Sequence, residues 1–175
     1  PSGRFLDLPT RRLVKRDHTR AFVVEWAAST ADGRDLVITE ADIENLMRTK
    51  AAIYAACSLI LENVGFEWSG IARVFIAGGF GRTIQVEDAV LIGLLPDLPR
   101  ERFAYIGNSA LTGAYLSLLS RERREELAAI ASRMTYVDLS SDPRYMDQYV
   151  GALFLPHTDI SRFPTVAEQL KGARE

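Results

Sequence analysis

At 175 residues, with acids and bases in similar numbers and a formal charge of -2, the sequence is long enough for one domain with a sizeable core, and its apolar share argues against disorder. No basic stripe with interleaved aromatics excludes a nucleic-acid track, and the single cysteine, Cys57, excludes an internal disulfide and any zinc or cluster site built by this chain alone. The absence of a long apolar run or a signal-like start gives no membrane partner and a reducing cytoplasm as the expected setting. The start at Pro1 instead of methionine suggests an excised piece.

Residues 1–20, rich in Arg, Lys and Asp around Pro9, read as a loop or edge strand entering the domain. Ala21–Trp26 and Asp35–Thr39 are β-branched and aromatic runs on either side of Ala31-Asp32-Gly33, a hairpin pattern. Thr39 with Asp42 fits a capping box, and a long helix is predicted from Glu40 to Val64, closed by Gly65.

Ala72–Ala77 is a buried-strand candidate that runs into Gly78-Gly79-Phe80-Gly81. Val86–Ile92 is a short helix with acids in its first turn, where they suit the helix dipole, and Gly93 closes it. Phe103–Ile106 is a strand leading through Gly107-Asn108-Ser109 into a helix to about Leu119. The charged run from Arg121 to Glu126 is a solvated helix face, Met134–Leu139 reads as a last strand, Tyr145–Phe154 as a helix, and Pro156 onward as tail. Alternation of strands and helices gives an α/β domain with a mixed sheet and helices on its faces.

Three features carry chemistry. The glycines of Gly78-Gly79-Phe80-Gly81 remove side chains at a strand end, where open α/β sheets bind ligands, so a flat ligand can lie on bare backbone. A tight strand-to-helix turn uses the same residues. The spacing is neither the dinucleotide fingerprint nor a P-loop.

On the long helix, Ile43, Met47, Tyr54, Cys57 and Leu61 fall within roughly 40° of one direction, the core stripe, and Lys50 lies about 20° from its centre. A lysine there snorkels, pairs with an acid or meets a ligand; in the last case Lys50 reaches ribose or phosphate oxygens. Asn108 can cap the following helix or bond a base. His18 and His157, with no partner at ligand spacing, read as surface residues; Trp26 and Trp68 read as core anchors and Cys57 as a small buried hydrophobe.

The order of a long helix, a strand ending in Ala77-Gly78-Gly79-Phe80-Gly81, a short helix to Ile92-Gly93-Leu94-Leu95-Pro96, then Ile106-Gly107-Asn108-Ser109-Ala110 and Gly113-Ala114, resembles the C-terminal half of the ATP-dependent reductive activators of corrinoid proteins, over roughly residues 36–165. The resemblance implies the actin-like, ribonuclease H-like ATPase fold, with residues 1–165 as its C-terminal lobe and 166–175 as a tail.

It also implies adenosine at Gly78, Gly79, Phe80 and Gly81, with Lys50 and Asn108 as further contacts. ATP with Mg2+ would be shared with a first lobe, and a [2Fe–2S] cluster would be carried by a ferredoxin domain of the full-length protein, not by this chain. Such proteins couple ATP hydrolysis to reduction of cobalt(II) corrinoid proteins to the methyl-accepting cobalt(I) form. The implied partners are the corrinoid protein, the first lobe and the ferredoxin domain, with a homodimer also open.

The ferredoxin cysteines, the first lobe's Asp-Gly-rich phosphate motif and the magnesium-holding acids are absent from this sequence. It therefore supplies no catalytic or metal residues to the expected site. Two other readings stay open: a lobe of another actin-like ATPase or kinase, such as a dehydratase activator, and a docking or dimerisation module without turnover of its own.

Overall fold

Thr39 and Gly65 bracket the element around which the chain is organised. The computed structural model describes residues 5, 9–16, 18–139 and 141–172, and of Phe80 only the backbone. The expected loop at 1–4 and 6–8, the end of the tail at 173–175 and the side chain of Phe80 lie outside the described residues.

Three strands, β1 (Leu13–Arg16), β2 (Thr19–Glu25) and β3 (Leu36–Thr39), form an antiparallel sheet in that order, with a register shift between Val23 and Glu25. The β2–β3 connection closes through a 3₁₀ turn at Ala27–Ser29 and through Gly33, whose φ of +65° suits a residue without a side chain. Asp35 holds it by accepting from the Ala27 N–H at 2.7 Å.

Helix α1 (Glu40–Asn63) starts at the predicted capping box. Thr39 Oγ1 accepts from Asp42 N at 3.1 Å, and Asp42 Oδ2 accepts from Thr39 N at 2.8 Å, so two backbone donors that the first turn leaves unpaired are satisfied. After Gly65 (φ +73°) the chain enters a second sheet, the parallel pair β4 (Val74–Ala77) and β5 (Phe103–Gly107). The crossover between them contains α2 (Val86–Leu91). Antiparallel and parallel pairing are thus both present, divided between two sheets.

Four helices follow: α3 (Ser109–Leu119), α4 (Arg121–Ala131), α5 (Arg144–Ala152) and α6 (Pro164–Gly172). The core joins α1, α2, α5 and α6 through Ala51, Tyr54, Val90, Ala152, Phe163 and Val166. Each large side chain buried there contributes about 1.5–3 kcal/mol by leaving water.

The expected tail is therefore part of the core as far as Val166, and α6 opens with Pro164, whose missing N–H costs nothing at a first helical position. Gly93 (φ +75°) lies under the 154–157 segment so closely that a Cβ would stand 2.2 Å from the Pro156 carbonyl oxygen. Any side chain there would push α2 off the turn that follows α5.

Several expectations are corrected. Met134–Leu139 forms no strand: Met134 and Tyr136 are among the most exposed apolar side chains described, and among the described residues no strand pairs with the segment. Trp26 is exposed, whereas Trp68 stacks on Tyr54 at 6.0 Å. The buried face of α1 is Met47, Lys50, Ala51, Tyr54, Ala55, Ser58 and Leu59, while Ile53, Cys57 and Ile60 of the same helix are exposed.

The charged run is a solvated face as expected, with Arg121–Glu125 and Arg123–Glu126 pairs at 3.1 and 2.7 Å. Neither α3 nor α4 has a buried residue, and together they leave Leu111, Tyr115, Leu118, Leu119, Leu127 and Ile130 exposed.

Candidate functional site

Parallel pairing brings the ends of β4 and β5 side by side: β5 ends in Gly107, and Gly78 directly follows the last residue of β4. Gly78 donates its N–H to the Gly107 carbonyl at 2.8 Å. Gly78 has φ +97° and Gly107 φ +66°, a region that a side chain would strain. A Cβ built on Gly78, Gly79 or Gly107 would meet nothing within 4 Å, so the backbone here is bare and faces open space.

Gly81 is different. It is buried, and a Cβ would lie 3.1 Å from Ile76 Cγ2 and 3.5 Å from Tyr105 Cδ1, so its role is close packing of the 3₁₀ turn Gly79–Arg82 on the sheet. The two ends of this loop are both tied to β5. Gly107 takes the first end, and the Tyr105 hydroxyl donates to the Ile84 carbonyl at the second.

Immediately after β5, Asn108 caps α3: its Oδ1 accepts from Leu111 N at 3.0 Å, and its carbonyl accepts from Thr112 N at 3.1 Å. Capping, one of the two roles open to Asn108, is the one its amide fills here. The cap is exposed, and it stands at the same strand end as the glycine turn.

Lys50 lies elsewhere. It is fully buried, and its ammonium donates to the Phe154 carbonyl and, at 2.6 Å, to the Pro156 carbonyl. Its partners in the protein are two main-chain oxygens more than 100 positions downstream, not an acid. Burial lowers its amine to about 8, which leaves it charged at neutral pH, where the two carbonyls favour the ammonium. For Lys50 to reach a nucleotide it must first give up both.

His157 is also not at the surface: it is 9% exposed and packs between Tyr54 and Phe163 at ring separations of 5.7 and 6.4 Å. Nδ1 accepts from the Asp159 N–H at 2.9 Å, so the remaining proton of the neutral ring sits on Nε2, which is buried and has no partner among the described residues. Burial first, and then the charges of Arg162 and Lys50, push the imidazole down to about 4.

Cys57 is exposed, and its apolar neighbours push the thiol above its usual range, so it is a poor nucleophile. Among the described residues no group of three or more His, Cys, Asp or Glu is placed to hold a metal ion, and no helix is long and apolar enough to cross a membrane.

Sequence reasoning missed three residues of this region. Tyr105 anchors the glycine loop, Gly107 supplies half of the bare backbone, and Arg82, exposed and without a hydrogen bond or ion pair among the described residues, follows the turn directly. Gly107 stood in the Gly107-Asn108-Ser109 motif and Arg82 immediately after the glycines, whereas nothing in the sequence marked Tyr105.

Comparison with known proteins identifies the family of the chain. Residues 1–167 match the family model described as the C-terminal domain of RACo, the ASKHA domain. Over 137 residues the chain is 38% identical to the corrinoid activation enzyme RamQ of Eubacterium limosum, covering 78% of this chain and 23% of that protein. Over 103 residues it is 26% identical to the [Co(II) methylated amine-specific corrinoid protein] reductase of Methanosarcina barkeri, covering 59% of this chain and 19% of that protein.

Among solved structures, a reductive activator for corrinoid, iron-sulfur protein superimposes with a TM-score of 0.89 at 44% identity, over 94% of this chain and 26% of that one. The chain thus spans about a quarter or less of the length of each of these relatives.

Proposed function

This chain belongs to the family of RACo C-terminal ASKHA domains, and from that premise we propose that it is the nucleotide-binding lobe of an ATP-dependent activator that reduces cobalt(II) corrinoid proteins to cobalt(I) for methyl transfer. The observation that carries this reading is the bare backbone at Gly78, Gly79 and Gly107, where two parallel strands end against open space. A purine is flat and needs such a surface more than it needs side chains, and strand ends are where sheets of this class bind ligands.

In this reading Gly78 and Gly79 lie under the adenosine, Gly81 holds the turn against the sheet, and Phe80 sits between them. The Asn108 amide, already used as a cap, presents the start of α3 to the nucleotide, and the Arg82 guanidinium is free to meet ribose or phosphate oxygens. Lys50 acts at one remove by fixing α1 to the segment after α5.

ATP, when bound, supplies the free energy that makes a one-electron reduction of cobalt(II) feasible with ordinary donors. In this reading the Mg2+ of the nucleotide would be held with a first lobe of the same polypeptide, and the electron would come from a ferredoxin domain with its [2Fe–2S] cluster. The names of the relatives, a corrinoid activation enzyme and a reductase of a Co(II) corrinoid protein, support the corrinoid protein as the partner. The exposed apolar flank of α3 and α4 suits the contact with the first lobe, since relatives about four times as long have chain available to cover it.

The test is anaerobic spectrophotometry of a cobalt(II) corrinoid protein with the polypeptide that joins this lobe to the first, a reductant and MgATP. The cobalt(II) band should give way to cobalt(I) only when ATP is present. Reduction at the same rate without nucleotide would remove ATP from the mechanism.

A further inference from the structure

A strongly apolar cavity lies among the described residues away from the glycine turn. It has a volume of about 290 Å³ and opens between the exposed flank of α1, the first residue of β4 and the Leu94–Pro96 turn. Val74, which lines it, begins β4, whereas Gly78 follows the last residue of that strand. The cavity and the glycine turn therefore belong to opposite ends of one strand.

Its wall is dry for identifiable reasons. Ile53, Cys57 and Ile60 enter it from α1 and Leu95 from the turn. The two aromatic residues that line it have their polar atoms engaged elsewhere. Trp68 Nε1 donates to Ser58 Oγ at 3.2 Å, and the Tyr54 hydroxyl interacts with Ser58 and Arg162. Their rings, stacked at 6.0 Å, are what remains to face the cavity.

One lining residue is charged. Arg73 is exposed and, among the described residues, makes no hydrogen bond or ion pair. An apolar chamber edged by one exposed cationic side chain suits a small molecule with an apolar body, and a guanidinium without a protein partner pairs with an anion that offers it two oxygens.

We propose that this cavity is a second binding site, separate from the glycine turn, for a small organic anion with an apolar body and one carboxylate or sulfonate. The apolar body rests on Ile53, Cys57, Ile60 and Leu95 and against the rings of Tyr54 and Trp68; the anionic group meets Arg73. Cys57, the chain's one thiol, reports occupancy because the ligand covers it.

The test uses two fluorescent probes that differ by one charge, anilinonaphthalene sulfonate and its uncharged parent phenylnaphthylamine, titrated into the native chain. One saturable site should appear, with the sulfonate bound about tenfold more tightly than the parent. Arg73→Gln should bring the sulfonate down to the parent's affinity and leave the parent unchanged. Cys57→Phe, which fills the chamber from an exposed position, should abolish both; if that variant does not fold by circular dichroism, Ile60→Trp takes its place.

Saturating sulfonate should also slow dithiodipyridine modification of Cys57 by about tenfold, and MgATP should not displace it. Equal affinity for the two probes, or a sulfonate affinity indifferent to Arg73→Gln, would overturn the proposal. So would displacement by ATP, which would make this the purine seat, or binding that tracks self-association of the chain, which would make the chamber a contact between copies.

Discussion

Taking the protein from pH 7 to pH 4 charges His157 in the unfolded chain well before it does so in the native one. The imidazole falls from its ordinary 6.5 to about 4 because it is packed between Tyr54 and Phe163 beside the cations Arg162 and Lys50. Above the unfolded value both states are neutral and the group is silent. Between about 6.5 and about 4 the unfolded chain binds a proton that the native state refuses, so stability falls as pH falls through that window; below it both states are charged and the loss stops. A displacement of about 2.5 pH units at about 1.36 kcal/mol each makes the full loss about 3 kcal/mol.

The sequence holds only two histidines, so the imidazole C–H signals of His18 and His157 can be followed separately by proton NMR, the assignment coming from His157→Gln. The expected result is a His157 signal with its midpoint near 4. The stability advantage of wild type over His157→Gln in urea should shrink by about 3 kcal/mol from pH 7 to pH 4, since the many carboxylates titrate alike in both. A midpoint close to 6.5 would refute the packing argument, because it would mean that the ring meets water.

Two further outcomes follow from the packing. Phe163→Ala should cost about 3–5 kcal/mol, measured by urea unfolding, because Phe163 is fully buried and holds α6 to α1; a loss under about 1 kcal/mol would show that the last helix is the tail its sequence suggested. Tyr105→Phe removes only the hydroxyl that meets the Ile84 carbonyl, a bond whose net worth of about 1 kcal/mol should appear as roughly fivefold faster amide exchange across residues 82–85. Unchanged exchange would show that the loop does not depend on β5 at that end.

What the sequence revealed was local. Thr39 with Asp42 and Gly65 mark the ends of α1 to within a residue, because caps act between neighbours. The glycine turn was legible for the same reason: glycines at a strand end supply the positive φ that a tight turn needs, a property of the segment itself.

What it concealed was the identity of neighbours distant in the chain. The carbonyls that receive Lys50 lie after α5, and no spacing along α1 announces them. Periodicity placed Cys57 inside because it weighs large apolar residues, whereas the face that meets α5 carries Ala51, Ala55 and Ser58, small enough for close helix packing. Met134–Leu139 has the composition of a strand, but a strand also needs a partner for its hydrogen bonds, and composition cannot supply one.

The glycine seat is tested most directly at Gly79, where a Cβ meets nothing in the protein and φ is ordinary, so Gly79→Val fills the seat without straining the fold. Isothermal titration of MgATP into the polypeptide carrying both lobes should show affinity reduced at least about tenfold by Gly79→Val, with the melting temperature held within about 2 °C. Equal affinity in the two proteins would contradict a purine resting on that backbone.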